Sequence, residues 1–454
     1  MGSNIIPMAE SLPNSTFVGV DLSGRQIAEG NRRLEKIDCR NLEFMQKNIL
    51  DIDESMGKFD YIIAHGVFSW VEREAQDKIL EIGRQNLTPN GIIYVSYNVL
   101  PGWRLRGAIR DMMLYHVEHI PSPHDQIRQA KELIKFLAKS SKTHSQAYPK
   151  MLEQEVEALK DVSDSYIYHE YLEKVNDPIY FHEFADRAIA SGLNYVAESE
   201  IHTMFTSFFG EEVAVLLKNL PMLRREQYMD FLRLRTFRTS LLSQAETVPN
   251  YNVPPSCILP LHVGLEMALV PETTADGYTT WSHSSGSINT KSPMTEVFTA
   301  LNHAWPGWVS VQELADGPLK ESSSNLASSL RNIVFALKQG IVKMAKSPPG
   351  LVRRISDHPA CTPFARLQAA ECEFVTNRTH TNAGLERLTR IVLESADGTR
   401  TVEDIAAVLQ ELSSSGKIKV TKRDGQVQST TDIDWRALVL QELDRLSTFG
   451  FLVG

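Results

Sequence analysis

Asp21 is the first residue whose type and setting suggest chemistry. It closes the run Thr16-Phe17-Val18-Gly19-Val20 and is followed by Leu22-Ser23-Gly24-Arg25-Gln26-Ile27. That is the pattern of a buried parallel strand, a carboxylate at its carboxyl end and a capped helix. Ligands of open α/β sheets sit outside the carboxyl ends of strands, and an acid there can accept both hydroxyls of a ribose. Asp21 lies 19 residues after Gly2, near the offset of about 20 between a glycine turn and a ribose-binding acid. Gly2 is the only glycine of such a turn to be found, so the crevice is read from its second half. Other spacings say less. His116 and His119 stand at i, i+3 on a helical stretch, but with no carboxylate or cysteine partner identifiable a solvated or packed pair is expected and no metal. His169 and Glu170 are neighbours, and neighbours on a helix do not share a face, which favours structural roles. Cys39, Cys257, Cys361 and Cys372 form no CxxC pair and read as reduced thiols.

The elements that must position Asp21 alternate. Asn4 to Glu10 reads as a helix, then come the Asp21 strand, a helix through Ile27, Leu34 and Ile37, and a short strand Leu42 to Gln46. Phe59 to Ala64 reads as the next strand, followed by a helix through Ile79, Leu80 and Ile82, a turn at Thr88-Pro89-Asn90-Gly91 and a strand Ile92 to Tyr97. This order predicts a parallel, doubly wound sheet. Beyond Pro101-Gly102 the pattern turns helical: Leu105, Ala108, Ile109 and Met112 recur at i, i+3, i+4, i+7, and Ile127, Ala130, Ile134 and Leu137 repeat that rhythm. Lys139 to Tyr148 reads as a loop. Met151 to Leu242 reads as mostly helical, with Tyr166, Tyr168, Tyr171, Tyr180, Phe181 and Phe184 expected in its core rather than lining a cleft. Val248 to Pro255 reads as a linker and Thr273 to Lys291 as irregular. Met294 to Met344 and Leu385 to Leu452 each read as helices closed by a short strand, the pattern of winged-helix-like units.

With 454 residues, 42% of them hydrophobic, the chain has material for two or three cores. A net charge of −9 leaves no excess of cations to neutralise phosphates, so nucleic acid is not an expected partner. No apolar run approaches the ~20 residues of a membrane helix, and together with the reduced thiols this places the chain in the cytoplasm.

The ordered combination of motifs resembles the class I S-adenosylmethionine-dependent methyltransferases that carry a methyltransferase regulatory domain. The resemblance rests on Gly2-Ser3-Asn4-Ile5-Ile6-Pro7-Met8-Ala9, Val18-Gly19-Val20-Asp21-Leu22-Ser23, His65-Gly66-Val67-Phe68-Ser69-Trp70-Val71, Tyr94-Val95-Ser96-Tyr97-Asn98 and Leu100-Pro101-Gly102-Trp103. It continues through Tyr168-His169-Glu170-Tyr171-Leu172, Pro178-Ile179-Tyr180-Phe181-His182-Glu183-Phe184, Glu226-Gln227-Tyr228-Met229-Asp230-Phe231 and Asp397-Gly398-Thr399-Arg400. The resemblance implies an α/β, Rossmann-like methyltransferase sheet over residues 1–140, its first strand missing. A helical regulatory domain over 141–245 and a winged-helix-like region over 246–454 follow.

The best-understood relatives are bacterial protein-lysine methyltransferases that modify surface proteins. The resemblance therefore implies S-adenosylmethionine as cofactor and a protein lysine as acceptor, and it leaves a homodimer open. It implies that Gly2 belongs to the cofactor loop, Asp21 binds the ribose, Leu22 packs on the adenine, and Asn48 with Ile49 meets the adenine edge. His65, Gly66 and Val67 then face the methionine moiety. Tyr97, Asn98 and Trp103 are the expected acceptor channel, with His65 as its wall; interdomain packing is the alternative for the two aromatics. Relatives carry a strand and an acid-x-Gly-x-Gly-type loop before the segment matching Gly2, so weak S-adenosylmethionine binding is expected of this sequence. A small-molecule methyltransferase and a catalytically impaired binding or regulatory module are the rival readings.

Overall fold

The computed structural model of the chain describes residues 2–141, 146–160, 162–251, 254–283, 286–320, 326–420 and 429–454. It forms two compact units, one of Met1–Asn48 with Tyr251–Gly454 and one of Ile49–Asn250.

In the first unit, helix α1 (Ile5–Ser11) leads to strand β1 (Phe17–Asp21), helix α2 (Gly24–Ile37) and strand β2 (Leu42–Gln46). The strands pair in parallel with Asp21 opposite Gln46. Ser23 caps α2 by accepting the Gln26 N–H, as the sequence pattern predicts. Ile6, Ile27, Leu34, Leu42 and Phe44 form the core of this layer, and Phe364 of helix Pro363–Glu371 completes it. The same helix is tied by charge: Arg32 places two guanidinium nitrogens on Glu371 at 2.8 and 2.7 Å. Glu10 accepts the Phe364 N–H at 2.8 Å.

Two further cores complete this unit. Around Val263, Phe298, Leu301, Leu330 and Ile333, strand His262–Leu265 runs between Val309–Ser310 and Val342–Ala345. Around Ile391, Ile405, Val439 and Leu443 pack helices Arg387–Ser395, Val402–Ser414 and Trp435–Thr448. The expected irregular stretch Thr273 to Lys291 is instead mostly strand. Thr279–His283 pairs antiparallel with both Val270–Thr273 and Gly286–Thr290, and Trp281 is buried there with its indole N–H on Thr290. Threonines suit a pleated, half-buried surface, which their turn-like polarity hides in sequence. Residues 252–253, 284–285 and 421–428 of the expected linker, irregular stretch and last block lie outside the described residues.

In the second unit, strands β3 (Phe59–Ala64) and β4 (Leu87–Leu100) are parallel, with helix α3 (Arg73–Asn86) between them in sequence. The expected turn Thr88 to Gly91 lies inside β4, where the register with β3 shifts. Helices α4 (Trp103–Val117), α5 (Pro123–Ser140), α6 (Ala147–Ala158) and α7 (Asp164–Ile167) build a second core around Ile109, Met113, Ile134, Leu152 and Tyr171. On α4 the buried stripe is Ile109, Met113 and Val117, and Leu105 is exposed, so the stripe expected from the sequence is rotated. At the start of α4 the backbone passes close to Arg235: a Cβ on Gly102 would stand 2.2 Å from the Arg235 carbonyl oxygen. Of the expected loop at Lys139 to Tyr148, residues 142–145 lie outside the described residues.

The stretch expected to be helical contributes strands as well. Strand β5 (Ile179–Tyr180) extends the end of β4, and helices α8 (Phe181–Ala190), α9 (Glu211–Lys218) and α10 (Met222–Arg233) alternate with strands β6 (Leu193–Glu198) and β7 (Phe237–Gln244). The order is β3-β4-β7-β6, with β7 antiparallel to both neighbours. The sheet is thus mixed, not all parallel. In β7 the buried residues include Arg238, Thr239, Ser240, Ser243 and Gln244, so no apolar alternation marks the strand in sequence. Phe68, Ile93, Val95, Phe181 and Phe184 fill the core beside it.

Candidate functional site

In the first unit, Asp21 stands at the carboxyl end of β1, where its Oδ1 accepts the Ser23 N–H at 2.8 Å. This short loop turns the chain so that Leu22 projects outward; the leucine is 67% exposed, unusual for an apolar side chain at a strand end. Its carbonyl is held by Gln46 Nε2 at 3.2 Å, and Lys47 N–H donates to the Asp21 carbonyl at 3.1 Å. Gly2 has φ +78 and its carbonyl accepts the Ile6 N–H at 2.9 Å at the start of α1. A half-buried carboxylate beside an exposed aliphatic side chain suits a ribose and a flat, apolar base. Asn48 follows β2 at the end of this unit's first segment.

In the second unit, the site residues gather at the carboxyl ends of β3 and β4. Gly66 takes φ +66, and a Cβ there would meet nothing within 4 Å, leaving a cradle open for a ligand. Its N–H donates to Ser96 Oγ at 2.7 Å. His65 Nδ1 lies 3.0 Å from the Tyr94 hydroxyl. Desolvation lowers the His65 pKa, so the ring is neutral at pH 7. Burial, reinforced by Glu200 and Glu198, pushes the Tyr94 phenol up to about 12. Val67 and Ile49 pack at the margin of the sheet core.

Tyr94, Ser96 and Asn98 share one face of β4 because side chains alternate along a strand. Asn98 is 2% exposed, its N–H donates to Ser69 Oγ at 2.9 Å, and its Nδ2 has no partner among the described residues. A buried unpaired amide costs free energy unless something meets it.

Tyr97 is a correction: it points to the opposite face, stacks on Phe184 at 4.1 Å and reaches Ser240 Oγ at 3.0 Å. It belongs to the core and lines no channel. Beside its hydroxyl lies a buried charge cluster in which Arg238 reaches Glu198, Asp230 and Glu226 at 2.8, 2.8 and 3.2 Å. Trp103 is also buried. Its indole N–H donates to Asn176 at 2.7 Å and its ring meets Trp70 edge-to-face, while Trp70 lies 4.4 Å from His169. Its packing is thus within this unit. Tyr94, Ser96, Ser69, Trp70 and Asn176 were not singled out from sequence; the period of two, counted back from Asn98, is the signal that finds Ser96 and Tyr94.

Among the described residues no group of three His, Cys, Asp or Glu side chains could hold a metal, and no helix is long and apolar enough to cross a membrane.

Sheet order, the antiparallel β7 and the strand-end site together define a methyltransferase fold, and comparison with known proteins agrees. Residues 1–177 match the model described as methyltransferase domain, 163–244 that of the predicted methyltransferase regulatory domain, and 357–446 the PKMT C-terminal winged helix domain. PKMT2 from Rickettsia typhi is 30% identical; its structure in complex with AdoHcy superposes with a TM-score of 0.87 over 99% of this chain and 92% of that one. A second structure of the same protein gives a TM-score of 0.86 over 100% of this chain and 92% of that one. The uncharacterized protein RP789 of Rickettsia prowazekii is 43% identical over 253 residues, 56% of this chain and 46% of that protein. The uncharacterized protein RP028 of the same organism is 44% identical over 188 residues, 41% of this chain and 75% of that protein. The chain thus spans under half the length of the first of these curated relatives. It belongs to the family of S-adenosylmethionine-dependent methyltransferases that carry a methyltransferase regulatory domain and a PKMT-type winged helix.

Proposed function

We propose that this chain transfers a methyl group from S-adenosylmethionine to a lysine side chain of a protein, PKMT denoting a protein lysine methyltransferase. The observation that carries the reading is the likeness, along nearly the whole chain, to PKMT2 in complex with AdoHcy, the demethylated form of that cofactor.

Asp21 accepts the ribose hydroxyls, Leu22 covers the adenine, and Asn48 and Ile49 meet its edge. Gly2 lies toward the cofactor's amino-acid end, and His65, Gly66 and Val67 line the methionine part. Within the first unit the exposed Leu22 suits an adenine, and within the second the open space at Gly66 suits the methionine part. The bound cofactor supplies a methyl group on a cationic sulfur. The chain's own task is to deliver a neutral amine in line with the bond that breaks, since positioning carries most of the rate. Free lysine, with a pKa of ~10.4, is almost wholly protonated at pH 7, and apolar surroundings shift it toward the neutral form. Asn98 orients the amine by accepting one of its N–H groups on the amide oxygen, which leaves the lone pair free, while the Tyr94 hydroxyl fixes the neutral His65 ring and Ser96 fixes the Gly66 backbone. Tyr97 and Trp103 act by packing behind these groups. The lysine ammonium would give up one proton to water before transfer; its lone pair would then take the methyl as the sulfur–methyl bond broke, leaving a methylammonium on the acceptor and a neutral thioether.

A cytoplasmic, bacterial setting is part of this reading. So is a homodimer; nucleic acid is not.

Incubation of the chain with methyl-labelled S-adenosylmethionine and lysine-rich acceptor proteins, followed by peptide mass spectrometry, tests it. Label on lysine nitrogen is expected; label on small metabolites alone would overturn the protein-lysine reading.

A further inference from the structure

Helix Pro363–Glu371 lies within the segment matched to the PKMT C-terminal winged helix domain, and one of its faces belongs to the cofactor half of the first unit. Phe364, Gln368 and Glu371 recur at i, i+4, i+7, so they share that face. Phe364 fills a core with Ile6, and its N–H donates to Glu10 of α1 at 2.8 Å. Glu371 holds Arg32 and Lys36 of α2, each at 2.7 Å. Between these two anchors Gln368 reaches Ser3, in the turn that opens α1. None of the roles assigned above uses Gln368.

The Gln368 amide is buried and its orientation is set by its partners. Its Oε1 accepts the Thr376 N–H at 2.8 Å. That leaves the two hydrogens on Nε2 for Ser3 Oγ at 3.4 Å and Thr376 Oγ1 at 3.3 Å. Thr376 ends the strand Phe374–Thr376, which pairs antiparallel with Asn382–Gly384, and its Oγ1 donates to Asn382 Oδ1 at 2.7 Å. A row of hydrogen bonds therefore runs from this hairpin through Thr376 and Gln368 to Ser3.

The turn at the end of the row is weakly held by its own residues. Asn4, at the head of α1, makes no side-chain cap, and Gly2 stands at φ +78, one of several regions a glycine visits freely. Conformational freedom kept in such a turn must be given up when a ligand binds, and that weakens affinity. A tie from a buried amide removes the freedom at folding instead.

We propose that Gln368 is a positioning residue for S-adenosylmethionine: it holds Ser3, and with it the Gly2 turn, in the conformation that receives the cofactor's amino-acid end. Cofactor affinity is thereby tied to the winged helix, whose hairpin orients the Gln368 amide. The proposal rests on the reading that puts the cofactor at Gly2 and Asp21, and it names a residue outside the methyltransferase domain that serves it.

The test is calorimetric titration of S-adenosylmethionine into the full chain, its Ser3→Ala and Gln368→Met variants, the double variant and Asp21→Ala. Ser3→Ala and Gln368→Met should each weaken binding about fivefold, the worth of one hydrogen bond, with the stoichiometry unchanged. The double variant should bind no more weakly than the singles, because both remove the same tie. A merely structural role for Gln368 would lower the fraction of chains that bind and leave the affinity of the rest intact, and that outcome overturns the proposal. So does wild-type affinity in Gln368→Met, or a double variant whose loss is the product of the two single losses. Should Gln368→Met fail to fold, Thr376→Val, which keeps the backbone N–H on Oε1 and removes the hydroxyl, takes its place in the cycle with the same outcomes. If Asp21→Ala weakens binding and the Ser3 and Gln368 variants do not, the inference alone falls. If the wild type does not bind, or Asp21→Ala binds as tightly as the wild type, the cofactor reading falls with it.

Discussion

Replacing Glu226 by glutamine should make the second unit less sensitive to pH. Glu226 lies in α10 with no exposed surface, facing Arg238, Glu198 and Asp230. Arg235 reaches Glu198 from the start of β7, and Tyr195 of β6 also bonds that carboxylate. Three carboxylates thus share two guanidinium groups, and Oε1 of Glu226 has no partner among the described residues. Desolvation, offset in part by Arg238, pushes its pKa up from 4.5 to about 7. The folded state therefore holds a proton that the unfolded chain releases near pH 4.5. Stability is unaffected below that value and falls as pH rises toward 7, by about 3 kcal/mol in all. Glu198, whose pKa is lowered, is ionised in both states over this range.

Glutamine keeps an acceptor for Arg238 and cannot titrate. Urea unfolding at about pH 5 and about pH 8, followed by hydrogen exchange in the β7 peptide, reads the second unit alone. The wild type should lose about 3 kcal/mol more than Glu226→Gln between the two pH values. An equal loss in both proteins would refute the argument that burial holds the proton on Glu226.

Other outcomes follow from the same structure. Phe184→Ala, at a fully buried ring stacked on Tyr97, should cost about 3–5 kcal/mol in the same assay. Arg238→Met leaves Glu226 and Asp230 without their guanidinium partner, Glu198 keeping Arg235, and should cost at least about 3 kcal/mol, with the loss greater at pH 8 than at pH 5. Asp21→Ala should lower S-adenosylmethionine affinity by calorimetry while leaving unfolding within about 0.5 kcal/mol of wild type, because the residue is only half-buried. Gly66→Ala should fold with a loss of about 1–2 kcal/mol for its left-handed backbone. It should lose cofactor affinity by a larger factor, since the added methyl would fill the cradle; unchanged affinity would take Gly66 out of the site.

The sequence by itself determined what local periodicity and end signals encode. It placed β1 with Asp21 at its carboxyl end, the Ser23-capped α2, β2, β3 and α3, and it put His65 to Val67 just past the carboxyl end of β3. Helices α2 and α3 and strand β2 bury apolar side chains on one face, so patterning reveals them, whereas β1, expected to be buried, is only half-buried along its length and β3 exposes Tyr61 and Ile63. It failed where burial is polar. Strand β7 hides Arg238, Ser240 and Gln244 inside because partners on β6 and α10 satisfy them, and no pattern in the strand announces partners 8 to 40 residues away. Tyr97 and Asn98 were read as one channel although a strand sends neighbours to opposite faces. Applying that rule needs the face, and only the pairing of β4 with β7 supplies it. The packing of Phe364 against α2 and the raised pKa of Glu226 were decided by tertiary structure alone. Each depends on desolvation and distance between groups far apart in the chain, quantities that exist only once the chain has folded.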